Sequence, residues 1–373
     1  MDERKRPALA WGIFLGVSWT WCIGMFLPVL LVRDLGAGAF LVFALPNVFG
    51  AAGMGWVLER QGLSEAWVAQ HRRACAWFSV VTILFHIFFA GWIISMLLGA
   101  AGGVLAILLA GVLWALGRHR PGRDVSVAMV VYLISLACVA LFLIYGSVAL
   151  PGMAYRLPGA EWKSLWLIPV CFFGFGLCPY LDLTFHRARQ NVDARGAKIA
   201  FGAGFGVFFF SMILFTLIYS GLLAERLDGE IIGVAGFIIG AHMVVQAGFT
   251  IAAHLRELMP ASSGEGKRLG VLMAAAMGIV ISIWWLLHGR ERAGEIPYML
   301  FLGFYGLVFP AYVWSVLVGR GRADMRILLA GIMIAGPMYY VGFVNRQTAW
   351  LLPGVAVALA AGSVAGRRKI RPA

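Results

Sequence analysis

One carboxylate, Asp182, lies inside an apolar segment of the sequence, in the stretch GFGLCPYLDLTFHR that runs from Gly174 to Arg187. Ionisable side chains in such segments usually face protein or a cavity and are paired. Pro179 suits the first position of a helix, and a carboxylate in the first turn is stabilised by the positive end of the helix dipole. We therefore expect Asp182 in the first turn of a short helix that begins near Pro179. There it would stabilise the helix, bind a cationic group or carry a proton, and these roles are compatible.

Two histidines, His86 and His242, also lie in otherwise apolar runs. An imidazole titrates near neutral pH in water, so each histidine is a candidate carrier of a coupling proton, with hydrogen-bonded packing as the alternative. Gln246 and Thr250 follow His242 at intervals of four residues. This spacing places all three on one face of a helix, and a polar stripe on an apolar helix faces protein or water rather than lipid.

These residues do not complete the motif of an enzyme. A membrane acyltransferase could use His86 or His242 as its base, but the sequence shows no group that would activate a nucleophile beside either histidine. It also contains no HExxH, GxSxG, Walker or GxGxxG motif and no DxD pair on a long loop. The five cysteines form no CxxC motif, which indicates packing residues rather than disulfides or zinc ligands. We expect no enzymatic activity and no cofactor.

The composition indicates which elements must position these residues. The chain of 373 residues has a mean hydropathy of +0.87, and 13% of its residues are charged, whereas about a quarter is usual in soluble domains. Apolar runs of roughly 20 residues, long enough to cross a membrane as a helix, recur along the whole chain. The sequence therefore predicts an all-α polytopic membrane protein of about twelve transmembrane helices. We number these spans 1 to 12, at residues 8–32, 38–58, 76–98, 101–117, 126–148, 163–186, 198–223, 231–255, 268–288, 297–318, 326–343 and 349–365.

The positive charges indicate how the spans are oriented. Cytoplasmic loops retain Lys and Arg, and with the N terminus in the cytoplasm all but seven of the 30 Lys and Arg residues fall on the cytoplasmic side. The seven exceptions are Arg33, Arg156, Lys163, Arg226, Arg290, Arg292 and Arg346. This pattern predicts a multi-pass protein of the inner (cytoplasmic) cell membrane with both termini in the cytoplasm. The net charge of +13 is explained by this retention and by anionic lipid, so membrane lipid is an expected partner and nucleic acid is not.

Spans 1 and 6 contain residues that interrupt helices. Span 1 carries Gly24 and Pro28 near its middle, and span 6 carries Gly174, Gly176 and Pro179. Unwound backbone at membrane depth persists only where it is buried or lines a cavity. We predict two broken helices, with close helix packing at the glycines as the alternative.

The positions of the two broken spans predict an inverted repeat. Because span 6 follows span 1 by five spans, the two cross the membrane in opposite directions, as in transporters built from five plus five helices. The predicted divisions are 1–150 and 151–320 for the two repeats, and 321–373 for two further spans and a basic cytoplasmic tail.

The stretch from Ser18 to Leu58 reads SWTWCIGMFLPVLLVRDLGAGAFLVFALPNVFGAAGMGWVL. An interrupted helix followed by a second helix with Pro46, Asn47 and Gly50 resembles the opening of sodium:solute symporter relatives. Those proteins are similar to the LeuT-type five-plus-five transporters of the amino acid, polyamine and organocation superfamily. The resemblance implies a solute site near the middle of the membrane, between spans 1 and 6, with walls from spans 3 and 8.

The resemblance also implies where the helices unwind and where a sodium ion would bind. The unwound parts would be Cys22–Met25 in span 1 and Phe173–Cys178 in span 6. A sodium site in this family uses backbone carbonyl groups of span 1, here at Cys22 and Met25, and two hydroxyl groups of span 8. At that place in span 8 this sequence offers Thr250 alone.

From these observations we predict a secondary transporter that moves a small polar or zwitterionic solute by alternating access, coupled to Na⁺ or H⁺. A non-transporting sensor or structural membrane subunit with the same fold is the alternative, and a membrane acyltransferase is a more distant one. No oligomeric state is predicted. The candidate solute-binding residues are Trp19, Trp21, Cys22, Gly24, His86, Phe173, Gly176, Tyr180, Asp182, His242 and Gln246.

Overall fold

The computed structural model describes residues 6–94, 96–97, 123–146, 162–225, 233–258 and 294–367. Within these ranges the chain forms helices and no strand. In the same residues nine helices are long and apolar enough to cross a membrane, and a further pair of helices, bent by 56°, passes that test together. Each of these elements overlaps one predicted span, which confirms an all-α polytopic membrane protein, although span 3 begins at Leu63 and not at residue 76 as predicted. Predicted spans 4 and 9 lie outside the described residues.

Spans 1 and 6 each contain an extended residue that separates two helices. Span 1 consists of helix α1 (Ala8–Trp19) and helix α2 (Cys22–Leu35). Span 6 consists of a 3-10 turn (Trp162–Leu167), helix α3 (Ile168–Leu177), a second 3-10 turn (Cys178–Leu181) and helix α4 (Leu183–Gln190). The other spans are span 2 (Gly38–Val57), span 3 (Leu63–Ile93), span 5 (Asp124–Gly146), span 7 (Ala194–Ala224), span 8 (Val234–Leu258), span 10 (Glu295–Val318), span 11 (Met325–Phe343) and span 12 (Thr348–Arg367).

The break in span 1 lies at Thr20 and Trp21, just before the predicted segment Cys22–Met25, which instead forms the first turn of α2. The hydroxyl groups of Ser18 and Thr20 donate to backbone carbonyl groups of the preceding turn, at 3.1 and 2.7 Å. Such local side-chain bonds compete with the helical backbone. The extended backbone of Trp21 (φ −81°, ψ 172°) then starts a new helix.

The break in span 6 lies at Asp182 rather than at the predicted Phe173–Cys178. Helix α3 is continuous through Gly174, and this glycine permits close packing, because a Cβ there would lie 2.8 Å from the carbonyl oxygen of Tyr305. The chain then tightens into a 3-10 turn that contains Pro179, a residue that has no N–H for a helical bond. It becomes extended at Asp182 (φ −79°, ψ 108°) before α4 begins.

The helix termini form two ends of the bundle. We call the end at which α1 begins the basic end; there Lys198 at the start of span 7 pairs with Glu59 after span 2 at 2.8 Å. At the opposite end Arg33 in the last turn of α2 pairs with Glu295 at the start of span 10 at 2.6 Å. Among the described Lys and Arg residues, those at the opposite end are Arg33, Lys163 and Arg346.

The packing of the spans follows a regular pattern. Span 1 packs against spans 5, 7 and 8, and span 6 packs against spans 10, 2 and 3. Span 5 also packs against span 8, and span 10 against span 3. A shift of five in each span number converts every contact of one set into a contact of the other. Spans 11 and 12 pack against each other and against span 10, outside this pattern.

Glycines permit the closest of these contacts. Between spans 1 and 7, a Cβ on Gly16 would lie 2.8 Å from Cβ of Phe208 and 3.0 Å from the carbonyl oxygen of Gly204. Between spans 2 and 6, a Cβ on Gly50 would lie 2.5 Å from the carbonyl oxygen of Phe175. At these positions the glycines serve helix packing, which was the alternative to unwinding.

Candidate functional site

The break in span 1 places the indole of Trp21 at the centre of the bundle. Its ring centroid lies 5.5 Å from that of Phe78 and 5.9 Å from that of His86, both in span 3. The rings of His254 in span 8 and Tyr305 in span 10 lie 5.7 and 5.4 Å away. The Trp21 side chain is 2% exposed. Protein therefore surrounds the break, as interrupted backbone at membrane depth requires.

His86 caps the second half of span 1. Its Nε2 accepts a hydrogen bond from the backbone N–H of Cys22 at 3.3 Å. Its Nδ1 lies 2.7 Å from the carbonyl oxygen of Thr82, which can only accept. The two contacts assign the proton to Nδ1 and make the imidazole neutral. A second proton would leave the N–H of Cys22 without its acceptor and would place a positive charge at the positive end of α2.

Asp182 caps the second half of span 6. Its Oδ1 accepts from the backbone N–H of Thr184 at 2.8 Å and from the Thr184 hydroxyl at 2.7 Å. Asp182 is therefore the N-cap of α4 and not, as predicted, a member of the first turn of a helix that begins near Pro179. Within the described residues Oδ2 has no hydrogen-bond partner, and Nε2 of His254 lies 4.0 Å from it.

His254 connects Asp182 to span 3. Its Nδ1 lies 3.0 Å from the hydroxyl oxygen of Ser79, so that a serine, a histidine and an aspartate stand in a row. These are the residue types of a hydrolase triad. Ser79 is fully buried and lines neither of the two cavities at the break. The row is therefore a polar connection inside the bundle and offers no place for an acyl group.

The predicted polar stripe on span 8 is buried, but most of it faces spans 5 and 7 instead of the break in span 6. His242 packs its ring against Tyr219 in span 7, with 6.5 Å between centroids, and Gln246 donates to Ser135 in span 5 at 2.9 Å. Among the described residues both nitrogens of His242, Oε1 of Gln246 and Oγ1 of Thr250 have no hydrogen-bond partner. Buried polar atoms of this kind usually bind ordered water.

Of the residues predicted to hold sodium, the two in span 1 already have other partners. The carbonyl oxygen of Cys22 accepts from the hydroxyl of Tyr298 at 3.1 Å, and that of Met25 accepts from the hydroxyl of Tyr219 at 2.5 Å. Both carbonyl groups belong to α2 and not to unwound backbone. In the described part of the chain no three His, Cys, Asp or Glu side chains are grouped so that they could hold a metal ion.

Two cavities that share lining residues lie near the break in span 1. The smaller one has a volume of about 10 Å³ and is lined by Trp19, Trp21, Ile23, Gly24, Asn47, Phe175, Cys178 and Tyr305. The larger one has a volume of about 260 Å³ and shares Ile23, Phe175 and Tyr305 with the smaller. It extends to the opposite end of the bundle, where Asp34, Lys163, Arg346 and Thr348 line it.

On the side of the break that faces the basic end, the bundle is filled. Phe185 of α4 packs against Trp19, with 4.8 Å between ring centroids. Beyond it, Arg187 of α4 pairs with Asp124 in span 5 and, at 3.2 Å, with Glu257 in span 8. Arg256 also pairs with Asp124. We call Asp124, Arg187, Arg256 and Glu257 the basic-end cluster.

Eight of the eleven predicted solute-binding residues divide into three groups. Trp19, Trp21 and Gly24 line the smaller cavity. Cys22, His86 and Asp182 lie at the two breaks, where they form the hydrogen bonds described above, but they line neither cavity. His242 and Gln246 lie at the interface with spans 5 and 7.

Three predicted residues lie outside the site because the break in span 6 is not where the glycines indicated. Phe173 is buried in an apolar cluster that includes Leu35 and Val170. Gly176 is half-buried and lines neither cavity. The carbonyl group of Tyr180 accepts from the indole of Trp67 at 2.6 Å, on the basic-end side of the break.

Two central residues, His254 and Tyr305, were not predicted. His254 follows His242 by twelve residues and continues the same polar stripe. The four-residue spacing of the polar side chains in span 8 could therefore have identified it. Tyr305 is one aromatic residue among many in span 10, and its sequence context gives no such signal.

Comparison with known proteins adds no relative: no protein-family model matches the chain, and no curated protein matches it.

Proposed function

We propose that the chain is a secondary transporter that moves a small solute across the membrane by alternating access. The observation that carries this proposal is the pair of interrupted spans together with a cavity that runs from the opposite end of the bundle to the break in span 1. Discontinuous helices around a cavity are typical of the solute sites of secondary transporters.

We infer that the first ten spans form a LeuT-type inverted repeat, with residues 1–150 and 151–320 as the halves and 321–373 as an addition. The pattern of packing supports this inference, because a shift of five in span number exchanges the observed contacts. The total of twelve spans includes spans 4 and 9, which rest on their apolar sequences alone.

In the described part of the chain, the cavity reaches only one end of the bundle. It reaches the opposite end of the bundle, whereas packed side chains and the basic-end cluster fill the other route. Positively charged ends are retained in the cytoplasm, so we place the basic end and both termini there, in the inner cell membrane. The described conformation then faces outward.

We infer that a proton is the coupling ion. A proton on His86 would remove the acceptor of the Cys22 N–H and so act directly on the break in span 1. His254 also contacts Trp21 at that break, and it lies beside Asp182. The carbonyl groups proposed for sodium are bonded to tyrosine hydroxyls instead.

Thermal unfolding of the purified full chain, measured with a panel of solutes, tests the function. We expect at least one solute to raise the unfolding temperature, and the same solute to enter proteoliposomes that contain the protein. The shift should depend on pH and should be equal in sodium and potassium salts. Failure of every solute would contradict transport and favour a sensor or structural subunit, and a sodium-specific shift would contradict proton coupling.

The variant His86→Gln distinguishes the uptake of a proton by His86 from the hydrogen bond that His86 accepts from the Cys22 N–H. Glutamine keeps an acceptor for the Cys22 N–H but does not titrate. We expect this variant to keep the solute-induced shift and to lose its pH dependence. His186→Gln is the matched control, because His186 is also buried but its ring bonds Ser64 and the Tyr180 carbonyl group, away from the break in span 1. An unchanged pH dependence in His86→Gln would contradict the role of His86.

A further inference from the structure

Span 8 carries a row of buried polar atoms that have no hydrogen-bond partner among the described residues. The row consists of both ring nitrogens of His242, Oε1 of Gln246, Oγ1 of Thr250 and Nε2 of His254. All four side chains are fully buried. They follow one another at intervals of four residues, or about 6 Å along a helix, so the row is about 18 Å long. It continues to Oδ2 of Asp182, which also has no hydrogen-bond partner in the described part of the chain and lies 4.0 Å from Nε2 of His254.

The row winds around span 8 toward the break in span 1. Each step of four residues turns by about 40°, so the three steps turn by about 120°. In agreement, the ring of His242 lies 5.0 Å from that of Phe215 and 6.5 Å from that of Tyr219, both in span 7. The ring of His254 lies 5.7 Å from that of Trp21. The row thus leads from the half of span 8 nearer the opposite end of the bundle to the two breaks.

The chemistry of these atoms identifies what can fill the row. The amide oxygen of Gln246 only accepts a hydrogen bond, whereas a neutral imidazole has one donor and one acceptor nitrogen and the hydroxyl of Thr250 does both. A metal ion would leave the imidazole donor unsatisfied, and an anion would leave the amide oxygen unsatisfied. Water both donates and accepts, and buried water molecules typically bond two to four polar groups that the protein leaves unpaired. Water is therefore the ligand that satisfies the whole row.

We propose that a file of buried water molecules runs along span 8 from His242 to Asp182 and carries the coupling proton. One water molecule with two hydrogen bonds of about 2.8 Å spans a step of about 6 Å. Each water molecule accepts a proton on one side and releases one on the other, so the file is unchanged after a proton has passed. The file delivers the proton to the carboxylate of Asp182 and to His254 beside Trp21. This delivery rests on the proposed function, whereas the presence of the water does not.

Other titratable side chains surround the inner end of the file. Those within electrostatic reach of Asp182 or His254 are Cys75 and His86 in span 3, Cys178 in span 6, Glu257 in span 8 and Tyr305 in span 10. His86 is bonded through both ring nitrogens, and Glu257 pairs with Arg187. In contrast, Oδ2 of Asp182 and Nε2 of His254 face each other without a hydrogen-bond partner among the described residues. These two atoms are therefore the ones placed to receive a proton from the file.

Radiolytic footprinting of the full chain in nanodiscs tests for the water. A short X-ray pulse converts water into hydroxyl radicals, which oxidise side chains that contact bound water even where bulk solvent is excluded. We expect His242 and His254 to be oxidised and His186 to stay unmodified. His186 is the internal control, because it is buried and both of its ring nitrogens bond protein groups. Absence of oxidation at both His242 and His254 would overturn the proposal.

The variant Thr250→Val tests the middle of the row. It removes a hydroxyl group with almost no change of shape. In a hydrated row the variant loses a hydrogen bond to water, so we expect its unfolding temperature to fall and the oxidation of His242 and His254 to decrease. In a dry row it loses an unpaired polar group, and a rise in unfolding temperature would therefore overturn the proposal. Ser315→Ala is the matched control, because it removes a buried hydroxyl that bonds the Tyr312 carbonyl group within span 10.

Proton uptake distinguishes the water file from the transport function. Proteoliposomes with a pH-sensitive dye inside report the uptake that is driven by a solute found in the thermal unfolding panel. We expect Thr250→Val to slow this uptake about tenfold, because a missing link adds the equivalent of one hydrogen bond to the barrier, and Ser315→Ala to leave the rate unchanged. A wild-type rate in Thr250→Val would overturn the role of the file. If no solute drives uptake, the transport function fails, and the footprint alone decides whether the water is present.

Discussion

At the scale of single residues, the two breaks are stabilised by different side chains. Asp182 accepts from the N–H of Thr184 within its own span, whereas the N–H of Cys22 depends on His86 from span 3. The cap in span 6 is therefore local and the cap in span 1 is tertiary. A change in span 3 acts on the break in span 1 through His86, while α4 keeps its cap.

Substitutions of Asp182 distinguish the hydrogen bond that this side chain accepts as an N-cap from the negative charge of its carboxylate. Asparagine is as good an N-cap as aspartate, and alanine in place of either costs about 1 kcal/mol. We expect Asp182→Ala to lower the free energy of unfolding of the purified protein by that amount. Asp182→Asn should leave the free energy of unfolding near the wild-type value. Asp193, the exposed N-cap of span 7 that accepts from Gly196 at 2.7 Å, gives the matched pair Asp193→Ala and Asp193→Asn. Equal losses in Asp182→Asn and Asp182→Ala would show that the charge, rather than the cap, stabilises this break.

At the scale of helices, glycines set the distance between the spans that carry the breaks. Gly50 lies where span 2 meets the backbone of α3, and a Cβ would meet backbone atoms of Phe175 and Gly176 at 2.5 to 2.8 Å. Backbone atoms of a packed helix cannot move aside as a flexible side chain can. The position of α3, and with it one wall of both cavities, therefore depends on the absence of a side chain at Gly50.

Alanine at two glycines of span 2 tests this packing. We expect Gly50→Ala to destabilise the protein by about 1 to 3 kcal/mol, as overpacking does. Gly53→Ala should be neutral or should stabilise the helix by up to about 1 kcal/mol, because no described atom outside its own stretch of helix lies within 4 Å of the Cβ position at Gly53. Thermal unfolding of both variants checks the expectation. A smaller loss for Gly50→Ala than for Gly53→Ala would mean that spans 2 and 6 are not in close contact.

At the scale of the whole molecule, the two ends differ in charge and in access. The larger cavity opens beside the ion pairs of Arg33, Asp34, Glu295 and Arg346, and the basic-end cluster closes the other side. The proposed transport by alternating access would require that these two sets of ion pairs open in turn. The positive-inside distribution predicts that the basic end lies in the cytoplasm.

Cysteine labelling tests that orientation. The five native cysteines are buried, so a membrane-impermeant maleimide should react little with the wild type. Gln347 at the opposite end and Gln61 at the basic end are both exposed. We expect Gln347→Cys to be labelled in intact cells and Gln61→Cys only after the membrane is permeabilised. The reverse pattern would invert the orientation.

The sequence by itself determined where most of the spans lie along the chain. It also predicted how they are oriented in the membrane. The length of each apolar run and the charges between runs are local properties, so the bounds of spans such as 2 and 8 were predicted to within a few residues. It also indicated that spans 1 and 6 contain breaks, because Gly and Pro weaken a helix.

The tertiary structure decided where each break lies and which side chains meet there. Gly174 neighbours the Tyr305 carbonyl group and is part of a continuous helix, so a glycine's effect on its helix depends on what packs against it. In the same way the stripe on span 8 was predictable as a stripe, but His254 reaches the break while His242 faces span 7. Residues distant in sequence become partners only when spans pack, and periodicity within one span carries no information about which neighbour each face will meet.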